Sequence, residues 1–195
     1  MKNLSTLLSA GLLLLCSSAL CAESSSKKSE DLGIFSMEQT RYSIGSGADI
    51  LEITRQMTPC AKNKGFLQPL VPQEGVHPVT EIEILQALND KKAIVVDMRV
   101  EEQFLKETIP HAINIPYTEA ELRLDKLGCS MKGAAWECAK ALKVYAFCNG
   151  PVCAQSPAAI EAMVRRGFPA EKIYYYRGGM LDWTALGLTT VKGAF

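Results

Sequence analysis

The chain has 195 residues, enough for one domain with a sizeable core plus extensions. It is 48% hydrophobic and 22% charged, and its 21 basic residues balance its 21 acidic ones. No Lys/Arg block stands out, so the sequence carries no nucleic-acid footprint.

The first segment reads as a leader. Lys2 supplies a positive start, "LLSAGLLLLCSSAL" an apolar stretch of signal-peptide length, and "LCAE" small residues for cleavage after Ala22. Residues 1–22 are therefore expected to direct export to a periplasm, with secretion as the alternative. The apolar run is short for a membrane span, so no stable membrane anchor is expected after cleavage. Export removes Cys16 and Cys21 and leaves Cys60, Cys129, Cys138, Cys148 and Cys153. An odd number of thiols in an oxidising compartment leaves at least one outside an internal disulfide.

Residues 23–32 are polar and Ser/Lys-rich and read as a lead segment. Residues 33–76 form an N-terminal extension in which "ADILEITRQM" has helical or strand-like spacing and "PCAKNKG" and "PLVPQEG" have loop chemistry. Beyond them the pattern is regular. Thr80 and Glu83 make a capping box ahead of the helical "EIEILQAL". "KKAIVVDMR" is a buried strand, "VEEQFLKET" a short helix and "HAINIP" a short strand. "TEAELRLDKL" predicts a helix capped by Thr118. "LKVYAFC" is a second long buried strand. "SPAAIEAMVRRGF" predicts a helix with Ser156 as N-cap, Pro157 at its first position and Gly167 as its stop. "KIYYYR" is a further strand, and "GGMLDWTALG" a turn and short helix. Strands alternating with helices indicate an α/β domain with a mostly parallel sheet, whose sites lie at the carboxyl ends of strands.

Cys148 falls at such an end. The loop after it contains Asn149, Gly150, Pro151, Val152, Cys153, Ala154, Gln155 and Ser156. A thiol facing a helix N-terminus meets unpaired N–H groups and the positive end of the helix dipole, which favour a thiolate. The loop amides are expected to form an anion nest. Cys148 is thus the candidate nucleophile, and a buried structural cysteine is the alternative.

From about residue 77 to 191 the chain resembles the rhodanese-like (sulfurtransferase) family. "IVVDMRVEEQF", "TIPHAINIP", "VYAFC" and "YYYRGGMLDW" match its motifs in order. The resemblance implies a central sheet flanked by helices on both faces. It also implies sulfane-sulfur transfer through a Cys148 persulfide, with no metal and no cofactor. The partners implied are a small sulfur-containing anion and a protein thiol or persulfide acceptor. The chain departs from the family inside the loop, where members carry an Arg or Lys and this chain has Cys153. Capture of a dianion such as thiosulfate is expected to suffer, because charge-assisted contacts are the strong ones. "C-x-G-P-x-C" resembles an exported variant group with two loop cysteines.

Cys153 is a candidate resolving thiol. The alternatives are a thiol–disulfide oxidoreductase using Cys148 and Cys153, or a catalytically silent binding module. Cys129 and Cys138 bracket an insertion and are expected to form a local disulfide. Asp97 and Arg99 are expected to form a buried ion pair near the strand end, the structural reading that the resemblance favours, or Arg99 to lend charge to the pocket. Arg177 is the candidate substitute for the missing loop cation. His77 and His111 are expected at the surface, and Trp183 with Tyr174 to Tyr176 in core or pocket lining.

Overall fold

The computed structural model describes residues 41–44, 47–54 and 67–195; the leader at 1–22, the polar lead at 23–32 and Cys60 lie outside the described residues. The strands are β1 (Arg41–Ile44), β2 (Leu51–Thr54), β3 (His77–Val79), β4 (Ala93–Asp97), β5 (Ile113–Asn114), β6 (Ser130–Lys132), β7 (Ala135–Glu137), β8 (Lys143–Phe147) and β9 (Ile173–Tyr176). The helices are α1 (Glu81–Ala87), α2 (Glu101–Lys106), α3 (Gln155–Arg165) and α4 (Gly179–Ala185). β1 and β2 pair antiparallel, so the ambiguous spacing in the extension resolves as strand over Leu51–Thr54.

The main sheet has the order β3-β9-β8-β4-β5, and every pairing in it is parallel. A parallel sheet is covered on both faces, so its strands read as continuous apolar runs. The two-residue period then sorts side chains onto opposite faces. Val96, Val144, Ala146, Ile173 and Tyr175 face Ala159, Ile160 and Met163 of α3. Val95, Tyr145, Phe147 and Tyr176 share the other cluster with Ile84 and Ala87 of α1 and Met180 and Trp183 of α4. Helices cover both faces, as the resemblance implies.

The helix ends follow local chemistry. Thr80 caps α1, and the Glu83 carboxylate accepts from the Thr80 N–H at 2.8 Å. The Thr80 hydroxyl, which donates to the same carboxylate at 2.7 Å, and that N–H hold the Glu83 carboxyl below its ordinary range. α1 buries Ile84 and Ala87, leaving Ile82 and Leu85 exposed. α3 stops in a Schellman arrangement. The Phe168 N–H donates to the Met163 carbonyl, the Gly167 N–H to the Val164 carbonyl, and Gly167 takes φ 98°.

One local expectation is corrected, and two strands appear that the sequence reading did not assign. The helix predicted over "TEAELRLDKL" is instead two 3-10 turns, Ala120–Leu122 and Leu124–Leu127, with Glu119 rather than Thr118 ahead of the first. Ala120, Leu124 and Leu127 are buried as their spacing requires, but Arg123 leaves helical dihedrals between the turns. The insertion after Gly128 is a hairpin of β6 and β7, a strand pairing its short polar sequence does not announce. "HPV" is an edge strand, where Pro78 is tolerated because one side of the strand has no neighbour.

Cys129 and Cys138 are joined by a disulfide across the ends of the β6–β7 hairpin. Replacing both cysteines by Ser is expected to lower stability by about 2–3 kcal/mol, the loop-closure contribution of a short disulfide. Urea unfolding of the oxidised wild type beside the double variant checks this, and equal midpoints would exclude a stabilising role.

Candidate functional site

β8 ends at Phe147, and Cys148 opens the loop that leads to α3. α4 fixes the loop backbone. The Met180 N–H donates to the Cys148 carbonyl at 3.0 Å and the Leu181 N–H to the Asn149 carbonyl at 2.9 Å. These are early amides of α4 that have no partner within the helix. Gly179 makes the approach possible. Its φ is +56°, and a Cβ there would lie 2.3 Å from the Cys148 carbonyl oxygen. The loop closes on itself through a turn in which the Cys153 N–H donates to the Gly150 carbonyl at 2.9 Å. Pro151 occupies its second position, where a fixed φ suits the turn.

The two loop thiols are both in the reduced form. Cys148 is 1% exposed and Cys153 is 0% exposed. The Cys148 Sγ–H donates to the Cys153 carbonyl at 3.4 Å. Cys153 sits among side-chain amides. Asn149 Nδ2 approaches its sulfur at 3.6 Å, and the Cys153 Sγ–H approaches Gln155 Oε1 at the same distance. Asn149 Nδ2 also donates to Gln155 Oε1 and to Gln103 Oε1 of α2, each at 3.3 Å.

The expectation of a favoured Cys148 thiolate is not met at rest. Burial pushes the Cys148 thiol well above its ordinary range, and its hydrogen bond and charge coupling to Cys153 push the same way. The Ser156 hydroxyl and backbone N–H pull it down, by less. Ser156 is also not the N-cap. Ala154 holds that position, and α3 begins at Gln155. Ser156 lies in the first turn, fully buried, and among the described residues its Oγ has no hydrogen-bond partner at normal distance. That leaves its proton available to a sulfur anion. Val152 lies half-buried in the turn.

The two candidate arginines have partners of their own. Arg99 Nε and Nη2 grip the Asp97 carboxylate at 2.9 and 2.7 Å, and Nη2 also donates to the Glu107 carbonyl. Thr108 Oγ1 donates to Asp97 Oδ2 at 2.8 Å. Asn114 Nδ2 bridges the carbonyls of Asp97 and Arg99. This network ties the carboxyl ends of β4 and β5 together beside Phe147 of β8. Arg177 reaches across the loop instead: Nη1 donates to the Gln68 carbonyl at 3.1 Å, and the Gln68 N–H donates to the Pro151 carbonyl at 2.8 Å. Gln68, Gln103 and Gly179 were not singled out by sequence reasoning. Their roles depend on neighbours 31 to 109 residues away in the chain, which no local pattern records. Among the described residues no group of three or more His, Cys, Asp or Glu side chains is placed to hold a metal ion.

A family model described as "Rhodanese-like domain" matches residues 80–186, more than half of the chain, and the chain belongs to that family. It is 28% identical over 116 residues to HTH-type transcriptional regulator Rv0324 of Mycobacterium tuberculosis, covering 60% of this chain and 45% of that protein. The chain thus spans less than half the length of that curated relative. Among solved structures it is similar to the rhodanese-like domain of Alr3790 from Anabaena sp, at 19% identity and a TM-score of 0.46, covering 63% of this chain and 81% of that one. It is also similar to thiosulfate sulfurtransferase from Pseudomonas aeruginosa, at 20% identity and a TM-score of 0.46, covering 69% of this chain and 26% of that one.

Two outcomes are expected. Gly179→Ala should destabilise the protein by more than about 2 kcal/mol, because it adds a strained positive φ to a backbone clash; thermal unfolding checks it. The raised Cys148 pKa also makes stability depend on pH. Below about pH 8.5 the folded and unfolded chains both hold the thiol proton; above it the unfolded chain releases the proton and the folded chain keeps it. The unfolding free energy should fall as pH rises past about 8.5, and Cys148→Ala should remove that part of the fall. Urea titrations of both proteins between about pH 7 and 9.5 measure the difference, and a constant difference would contradict the burial argument.

Proposed function

We propose that this rhodanese-like protein is an exported sulfurtransferase or persulfide carrier that holds sulfane sulfur on Cys148, with Cys153 as the resolving thiol. The observation that carries this reading is the placement of two reduced thiols in one loop at the carboxyl end of a central strand, with the loop backbone fixed by α4. In the forward step the Cys148 thiolate attacks the outer sulfur of a donor, the donor's S–S bond breaks, and Cys148 keeps the transferred sulfur as a persulfide. An acceptor thiolate then takes that outer sulfur. Alternatively, Cys153 attacks the Cys148 sulfur, forming a Cys148–Cys153 disulfide and releasing hydrosulfide.

The Ser156 hydroxyl and N–H are the donors that favour an anion at Cys148. Preorganised donors of this kind stabilise charge as it develops. The guanidiniums of Arg99 and Arg177 are held by Asp97 and by the Gln68 carbonyl. The reading therefore favours a persulfide or a protein-borne sulfane sulfur over thiosulfate. Export rests on residues 1–22 and belongs to the same proposal.

A second reading, a silent binding module that keeps the fold, is favoured by the burial of Cys148. Sulfur transfer from a low-molecular-weight persulfide to cyanide separates the two. Cys148→Ser should abolish transfer. Cys153→Ser should keep it, with Cys148 isolated one sulfur atom heavier by intact mass. Transfer undiminished in Cys148→Ser would sink the proposal. Disulfide exchange without transfer would favour an oxidoreductase, and neither activity would leave the binding module.

A further inference from the structure

A carrier sulfur must meet its donor, and reactive cysteines ordinarily sit in partly exposed places. Here Cys148 and Cys153 are both fully enclosed. Something must move before either can react. Among the described residues three elements hold the loop. α4 holds it through Met180 and Leu181, and Met180 and Trp183 root that helix in the core. α2 holds it through Gln103, and Phe104 beside that residue is 1% exposed.

The third element is different. Residues 67–69 precede β3 and have no regular secondary structure. The Gln68 peptide is clamped on both sides, its N–H on the Pro151 carbonyl and its carbonyl on Arg177. Gln68 is 4% exposed, yet Pro69, Leu70 and Val71 after it stand out in solvent. A segment without regular secondary structure and with exposed residues beside its clamp belongs to the low-stability end of a structure. Arg177 directly follows β9, so its side chain spans the same carboxyl edge on which Cys148 opens.

We infer that residues 67–71 are an access strap over the Cys148 loop, latched by Arg177, and that their local release controls which sulfur compounds reach the thiols. The functional meaning of the strap rests on the sulfur-carrier reading, but its existence does not. Arg177 is then a positioning residue: it acts through Gln68 and does not touch the reacting sulfur.

The test is alkylation of the native full chain with iodoacetamide, reading the peptide that carries Cys148 by mass spectrometry. In wild type the rate should rise only weakly with low urea, because local opening exposes little surface, whereas the unfolding free energy falls steeply with urea. Arg177→Met keeps the apolar stem and removes the latch. It should raise the Cys148 rate roughly fivefold, the effect of losing one net hydrogen bond, with the unfolding midpoint little changed. A Cys148 rate that follows global unfolding in wild type overturns the strap, whether or not the variant folds. An unchanged rate in a folded Arg177→Met protein overturns the latch. Strap opening without sulfur transfer would leave the strap standing and remove the carrier reading; transfer without strap opening would do the reverse.

Discussion

The arrangement at the carboxyl edge depends on the contact between Gly179 and the Cys148 carbonyl. A side chain of any kind at position 179 would occupy the space where that carbonyl lies. Because Gly179 carries none and takes a positive φ, α4 starts directly against the loop and offers its first amides to Cys148 and Asn149. On this side the loop is located by backbone hydrogen bonds, and on the α2 side by the Asn149 side chain. Gly150 repeats the principle more weakly, since a Cβ there would meet Leu181 at 2.9 Å. Both glycines admit close packing between the loop and one short helix, and the position of the Cys148 sulfur follows from it.

Charge at the same edge is bound up in structure. Asp97 has no exposure and Arg99 almost none, and each ionised group is matched by the other and by neighbouring hydrogen-bonding groups. Removing one partner of such a pair costs about 3–5 kcal/mol because the other is left buried and alone. The pair serves the architecture by fastening β4, β5 and the segment around Glu107 and Thr108. Arg177 is likewise engaged by a backbone carbonyl. An arginine near a cysteine in sequence or in space therefore says little about the cysteine's field until the arginine's own partners are known.

Much of the fold was legible in the sequence because it is written in short-range patterns. "AIVVD", "KVYAF" and "IYYY" are apolar runs that a parallel sheet requires, and the Thr80–Glu83 box and Gly167 mark helix ends by local hydrogen bonding. The position of Cys148 at a strand end followed from the same patterns. What was not legible depends on tertiary competition. Ser156 has the chemistry of an N-cap, but the helix begins one residue before it, so the hydroxyl is turned from a capping role to a buried one beside the thiols. "TEAELRLDKL" has a helical spacing of buried residues that two 3-10 turns satisfy as well. Gln68 carries no signal in the sequence, because its peptide group meets Pro151 and Arg177, which lie far along the chain.

The electrostatics of Cys148 turn on magnitudes. Interaction with a helix N-terminus contributes about 0.3–1 kcal/mol, and up to ~2 in favourable geometry. Full burial of an ionisable group moves its pKa by up to about 3–5 units, and each unit corresponds to about 1.4 kcal/mol. Burial therefore outweighs the dipole and the Ser156 donors together, and the resting thiol keeps its proton. The donors become decisive only once water or an incoming sulfur compound reaches the site, because the desolvation term then shrinks while Ser156 remains in place. Reactivity in this loop is thus governed by access more than by the intrinsic polarity of its residues, which is why an otherwise ordinary stretch of chain around Gln68 bears on the chemistry of a cysteine eighty residues away.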